Sequence, residues 1–224
     1  MDIEILYEDG EALVINKPAG LPVDRPRAGG ECLDDYLPSL RLGFQRKPLA
    51  VHRLDRDTSG CLLLARNPKA LKRFVAAFEA RTVSKRYLGL VAGEIESESG
   101  TFDMALSKIS SAEEGWRMVP DSYGKTAVTH WRKITAREGV TLVEFQLETG
   151  RTHQIRVHAA SGFGLPLLGD PVYGDGPKGG VQRTMLHASR LVVQREGKPP
   201  IEANAPLPAD FARLGFAIEV DVDG

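Results

Sequence analysis

The fold of this 224-residue chain is constrained above all by a succession of short apolar runs, each closed by a Gly, Pro or Asp/Asn turn, with one clear helical pattern among them. Ile5-Leu6-Tyr7, a turn at Glu8-Asp9-Gly10 and Ala12-Leu13-Val14-Ile15-Asn16 read as a hairpin, closed by Lys17-Pro18-Ala19-Gly20. Cys61-Leu62-Leu63-Leu64-Ala65 reads as an apolar strand, and further strand-like runs cover residues 87–92, 127–134, 141–147 and 190–194. The helix begins after Asn67, which can cap it. Pro68 suits the first helical position, and Leu71, Phe74, Val75 and Phe78 recur on one buried face. A Gly/Pro-rich stretch from Gly20 to Gly30 leads into a short amphipathic helix expected near residues 31–40. Residues 94–100 read as a solvated connector and residues 165–180 as a long loop of the kind that carries function. Residues 152–161 fit either a helix capped by Thr152 or a continuation of the preceding strand. Strands outnumber helices and mostly follow one another, which predicts an α+β fold with a largely antiparallel sheet. The length suits one domain, residues 1–224.

No apolar run approaches the ~18 residues of a membrane-spanning helix, and the start, Met1-Asp2-Ile3-Glu4, is acidic where a secretory signal would be basic. A cytoplasmic protein without membrane contact is expected. Cys32 and Cys61 lie far apart with no CxxC pair, so they read as buried reduced thiols rather than zinc ligands or a disulfide.

The formal net charge of −1 conceals a segregation. Residues 46–86 hold eleven Lys/Arg against Asp55, Asp57 and Glu79, a local excess of +8, whereas residues 1–11 carry five acids and no base. Such a division lets one face meet a polyanion while the whole stays near neutral. Scattered surface charge is the competing explanation.

Two clusters carry candidate chemistry. In His52-Arg53-Leu54-Asp55-Arg56-Asp57-Thr58-Ser59-Gly60, arginines flank Asp55 on both sides, which favours an ionised carboxylate able to act as nucleophile or base. A surface turn closed by its own salt bridges fits the same residues. In Thr149-Gly150-Arg151-Thr152-His153-Gln154-Ile155-Arg156-Val157-His158, either Arg151 or Arg156 could partner Asp55 across a cleft, since a guanidinium binds a carboxylate bidentately and stays charged. His153 and His158 are five apart and lack a third ligand, so no metal site is expected. Tyr87 in Lys85-Arg86-Tyr87 is either packing or chemistry.

Taken in order, His52-Arg53-Leu54-Asp55 with Thr58-Ser59-Gly60, then Lys85-Arg86-Tyr87, then Gly150-Arg151-Thr152-His153-Gln154-Ile155-Arg156, resemble the RluA-type pseudouridine synthases. Asn16-Lys17-Pro18-Ala19-Gly20, Gly169-Asp170-Pro171-Val172-Tyr173-Gly174 and Leu186-His187-Ala188 extend the resemblance over nearly the whole chain. It implies the pseudouridine synthase fold: a mixed, largely antiparallel bent sheet with flanking helices and a central cleft. It further implies an isomerase that converts uridine in structured tRNA or large-subunit rRNA to pseudouridine, with no cofactor and no metal.

By the same resemblance, Asp55 is the nucleophile, Arg151 its charged partner, and Tyr87 the aromatic ring stacked on the uracil. Arg53 enters the gap left by the flipped base. The RNA-binding set it implies is Arg53, His52, Arg56, Lys85, Arg86, His153, Gln154 and Arg156, with His52 and Gln154 read more readily as structural hydrogen-bonders. The chain is expected to be a bare catalytic domain without an S4 module, working as a monomer. Two other functions compete: an RNA-binding chaperone without catalysis, and a glycoside-type hydrolase using Asp55 and Asp57 as an acid and nucleophile pair.

Overall fold

A computed structural model describes residues 2–111 and 115–217. Its strands, in chain order, are β1 (Ile5–Glu8), β2 (Ala12–Lys17), β3 (Leu49–Ala50), β4 (Ser59–Ala65), β5 (Val83–Val91) and β6 (Ser99–Asp103), then β7 (Leu106–Ser111), β8 (Gly115–Pro120), β9 (Val128–Arg137), β10 (Val140–Leu147), β11 (Leu186–Val193) and β12 (Ile201–Asn204). Three short helices are interspersed: α1 (Pro68–Glu79), α2 (Gln154–His158) and α3 (Ala209–Arg213). The fold is α+β and its strand pairing largely antiparallel, as the succession of short strands predicts. By contact density the chain forms two compact units, Met1–Lys85 with His187–Leu207, and Arg86–Leu186 with Pro208–Gly224.

In the first unit the strands follow the order β1, β2, β4, β11, β12. The β1–β2 hairpin turns at Asp9, whose carboxylate accepts the amides of Glu11 and Ala12 at 2.8 Å and bonds Tyr7 and Arg195. Burial works to raise its pKa, but these donors outweigh it and hold the carboxyl at about 2. β4 is buried along its whole length, which explains its unbroken apolar sequence. β2 lies antiparallel along one of its edges. The other edge is shared, with β11 parallel at Ser59 and Gly60 and β3 antiparallel at Leu64 and Ala65. α1 begins as its sequence predicts: the Asn67 side chain accepts the Ala70 amide at 2.8 Å and Pro68 occupies the first turn. Its Ala70 and Phe74 enter the core made by Val14, Leu63, Val83, Leu191 and Ile201, with Leu71 and Phe78 half-buried at the margin.

The helix expected near residues 31–40 is absent. Two single 3-10 turns, Leu33–Asp35 and Ser39–Arg41, stand there instead. Pro38 accounts for this, because its ring collides with the carbonyl four residues back and it has no amide to continue a ladder. Cys32 and Cys61 are buried free thiols, and burial raises the Cys61 pKa to about 12.

In the second unit β5, β10, β9 and β6 pair antiparallel in that order, and β7 with β8 makes a separate two-stranded ribbon. Residues 94–100, expected to be wholly connector, already enter β6 at Ser99. Residues 152–161 resolve as helix: α2 is entered from His153, which adopts a left-handed φ of 54°, and it widens into a single π turn over Ala159–Phe163. Thr152 is not its cap. The loop after it is fixed by Gly169, whose φ is +72° and where a Cβ would sit 2.0 Å from the Arg183 carbonyl oxygen.

Candidate active site

In the first unit the site is a loop, residues 51–58, between β3 and β4. Its tight anchoring comes from sequence far away. Lys17, at the end of β2, is fully buried, and its ammonium donates to the carbonyls of Pro18 (2.8 Å), Leu21 (2.9 Å) and Arg56 (3.0 Å). The Gly20 amide donates to the same Arg56 carbonyl, and Arg56 Nε returns a bond to the Gly20 carbonyl at 3.1 Å. The Lys17-Pro18-Ala19-Gly20 segment therefore grips the loop one residue beyond Asp55. That positioning lysine escaped the sequence reading. Its signal is a lone cation closing an otherwise apolar strand.

His52 anchors the other end. Its ring stacks on Phe78 of α1 at 4.5 Å, and Nε2 accepts the Leu63 amide at 3.1 Å. Burial, with the nearby Lys85 charge, lowers its pKa to about 3, so the ring is neutral and its accepting nitrogen is spent on β4. Arg53 is exposed and pairs with the exposed Asp24 at 2.9 Å. Asp55 is half-buried; its carbonyl accepts the Thr58 amide, closing the turn.

Thr58, Ser59 and Gly60 end the loop, and each is buried. Gly60 has a φ of +105°, and a Cβ there would sit 2.2 Å from the Ala188 carbonyl oxygen. No other residue fits that approach. Ser59 Oγ lies 2.9 Å from His187 Nδ1, while His187 Nε2 faces the Ala205 carbonyl at 3.3 Å. A carbonyl only accepts, so Nε2 carries the proton and Nδ1 receives the serine hydroxyl. The Leu186-His187-Ala188 motif thus exists to close against Thr58-Ser59-Gly60.

Lys85 is buried with its ammonium 5.6 Å from the Phe78 ring centre, and desolvation first, then Arg81, lowers its pKa.

In the second unit, Tyr87 on β5 is buried opposite Phe145 of β10. Arg86, on the opposite face of β5, is 3.8 Å from Glu144. β10 then leads into Thr149-Gly150-Arg151, so Tyr87 and Arg151 lie toward the same end of the β5–β10 ladder. Gln154 organises that turn. Its Oε1 accepts from Thr149 Oγ1 (2.8 Å) and the Arg151 amide (2.9 Å), and its Nε2 donates to the Val128 carbonyl and Thr129 Oγ1. Those four bonds fill its ordinary capacity. Arg151 is half-exposed, its Nε donating to the Thr126 carbonyl at 3.0 Å. His153 lies beneath the Trp116 indole at 4.9 Å, with Nδ1 3.0 Å from the Tyr173 hydroxyl.

Arg156, one of the two arginines considered as a partner for Asp55, is engaged with another carboxylate. Its guanidinium binds Asp170 bidentately at 2.6 and 2.7 Å, with both side chains almost wholly buried. Burial works to raise the Asp170 pKa, and Arg156 with the Val172 and Tyr173 amides outweighs it and lowers it. Arg156 and Gln154, grouped by resemblance with the RNA contacts, are thus committed to internal bonds, as is His52. His158 is likewise internal, between Thr129 and the Met104 carbonyl. Among the described residues no three His, Cys, Asp or Glu side chains gather in a way that could hold a metal ion.

The sequence of the chain between residues 11 and 161 matches the family model described as RNA pseudouridylate synthase. This covers well over half of the chain, and the chain belongs to that family of RNA-modifying isomerases. It is 53% identical to an uncharacterised RNA pseudouridine synthase of Zymomonas mobilis over 95% of this chain and 97% of that one. It is 38% identical to the ribosomal large subunit pseudouridine synthase D of the same organism, over 95% of this chain and 71% of that one. Among solved structures it superposes on the human RNA pseudouridylate synthase domain containing 4 with a TM-score of 0.77, at 27% identity, covering 95% of this chain and 93% of that one. No helix among the described residues is long and apolar enough to cross a membrane.

Proposed function

We propose that this chain isomerises uridine in structured tRNA or large-subunit rRNA to pseudouridine, with Asp55 as the nucleophile. Asp55 acts on an extruded uridine: the N1–C1′ bond breaks, the uracil turns in place, C5 bonds to C1′, the C5 proton is lost to solvent, and N1 takes up a proton in its stead. Atoms and electrons balance, so no cofactor enters. Arg151 partners the Asp55 carboxylate, Tyr87 stacks on the uracil, and Arg53 fills the place the base has left, where a planar guanidinium both stacks and binds phosphate. Extrusion costs a few kcal/mol, least for an unpaired base. Residues 1–224 act as one catalytic domain and as a cytoplasmic monomer on this reading. Arg56, Arg86 and His153 remain exposed enough to meet RNA.

The observation that carries this reading is the anchoring of loop 51–58 by Lys17, His52 and the Ser59–His187 pair, which fixes the backbone around one half-buried carboxylate. A surface turn would need no such support. The test is tritium release from RNA labelled at uridine C5. Wild-type protein is expected to release tritium without freeing uracil, and Asp55→Asn to bind RNA but release none. Free uracil or sugar would mean a hydrolase, and RNA binding without release by the wild type would mean a chaperone.

A further inference from the structure

A cavity of about 300 Å³ opens in the first unit at the end of β4 remote from the Asp55 loop, between Arg46, Lys47, Leu49, Ala65, Arg66 and Pro68. β4 spans six residue steps from Ser59 to Ala65, so at ~3.3 Å per step the cavity lies ~20 Å along the strand from the Thr58 end of that loop, while its Leu49 wall on β3 lies two residues before the loop's start. No role in the chemistry above reaches it.

Its walls differ in character from its rim. Leu49 and Pro68 supply apolar surface over the fully buried Ala65, and Leu49 with the neighbouring Leu42 and Phe44 keeps about two-fifths of its surface in water (37%, 41% and 40%). Arg66 is a wall rather than a ligand. It is buried, bonded to Glu8 and to the carbonyls of Asp9, Arg41 and Leu42, with its guanidinium face 3.8 Å above the Phe44 ring. The rim is cationic. Arg46 is exposed and makes no ion pair among the described residues, and Lys69 and Lys72 on the outer face of α1 are likewise unpaired and exposed. Lys47 pairs with Asp34 at 2.6 Å, but both ends are well exposed and such a pair holds weakly.

An apolar slot ringed by cations suits one class of occupant, a flat apolar body carrying a negative charge. Single-stranded nucleic acid is bound elsewhere by stacking platforms for the bases and a positive groove for the backbone, and here aliphatic side chains stand in the platform's place. We propose that this cavity is a second nucleotide subsite, in which an unpaired base of the RNA lies on Leu49 and Pro68 and its phosphates meet Arg46 and Lys47. This rests on RNA being the substrate and adds a second contact, through which a structured RNA is chosen by the spacing of two unpaired nucleotides.

The test is a titration of the ¹⁵N-labelled full chain by NMR, with single-stranded hexa-adenylate RNA as one probe and inorganic tripolyphosphate as the other. The hexamer is expected to shift the amide signals of residues 44–50 and 65–69 saturably. Arg46→Glu with Lys47→Glu is expected to weaken that response about tenfold or more, since two phosphate contacts are reversed. Leu49→Ser is expected to weaken the hexamer several-fold and leave tripolyphosphate unchanged. No shift in those residues, or equal shifts from tripolyphosphate with Leu49→Ser altering neither, overturns the subsite. Tritium release by the same wild-type sample is read in parallel. Release without these shifts removes the subsite alone, whereas shifts without release remove the isomerase reading.

Discussion

At the scale of single residues, Lys17 is the least replaceable side chain outside the reacting set, because three backbone carbonyls depend on its ammonium in a fully buried place. In Lys17→Met the carbonyls of Pro18 and Leu21 lose the lysine's bonds together, and that of Arg56 is left with the Gly20 amide. A loss of about 3 kcal/mol is expected, read from urea denaturation, with turnover falling as the Asp55 loop loosens. His52 gives a second prediction with a definite sign. Its folded pKa of about 3 lies below the ordinary histidine value of 6.5, so the unfolded chain takes up a proton that the folded one refuses. Its contribution to stability is complete above pH 6.5 and drains away as the pH falls toward 3, with a slope of at most about 1.4 kcal/mol per pH unit. Denaturation midpoints of wild type and His52→Gln between pH 7 and 4 should converge as the pH drops. A parallel pair of curves would show that His52 is not the titrating group.

At the scale of elements, the Arg156–Asp170 pair ties α2 to the loop behind it. Arg156→Ala leaves a carboxylate buried without its cation and is expected to cost about 3–5 kcal/mol, whereas Arg156→Ala with Asp170→Asn should recover much of that. If RNA affinity fell with stability unchanged, Arg156 would instead be an external contact. The two motifs differ in how far the sequence discloses them. α1 is legible because its signals are local: the Asn67 cap, the proline behind it and one apolar stripe. The helix expected at residues 31–40 fails for an equally local reason, since Pro38 outweighs the amphipathic pattern. β7 and β8 left no apolar alternation to read, since most of their residues face water. The roles of Asp170, Lys17 and His187 are of another kind, since each is defined by a partner 14 to 128 residues away that spacing alone does not identify. The motif strings were visible; which member of each string works outward and which holds the string in place was not.

At the scale of the whole molecule, the excess of +8 in residues 46–86 governs how the protein meets a polyanion. Five phosphate contacts in that region would give a roughly hundredfold loss of RNA affinity between 50 and 200 mM salt, measurable by filter binding. A flat salt dependence would place the contacts elsewhere. The pairing of Ser59 and Gly60 with His187 and Ala188 reaches further still. A ribosome finishes the Asp55 loop well over a hundred residues before it makes β11, the strand that closes beside it. In the nascent chain Lys17 and His52 can hold the loop once β4 and α1 have been made, but the Ser59–His187 closure waits for β11, in the last fifth of the sequence.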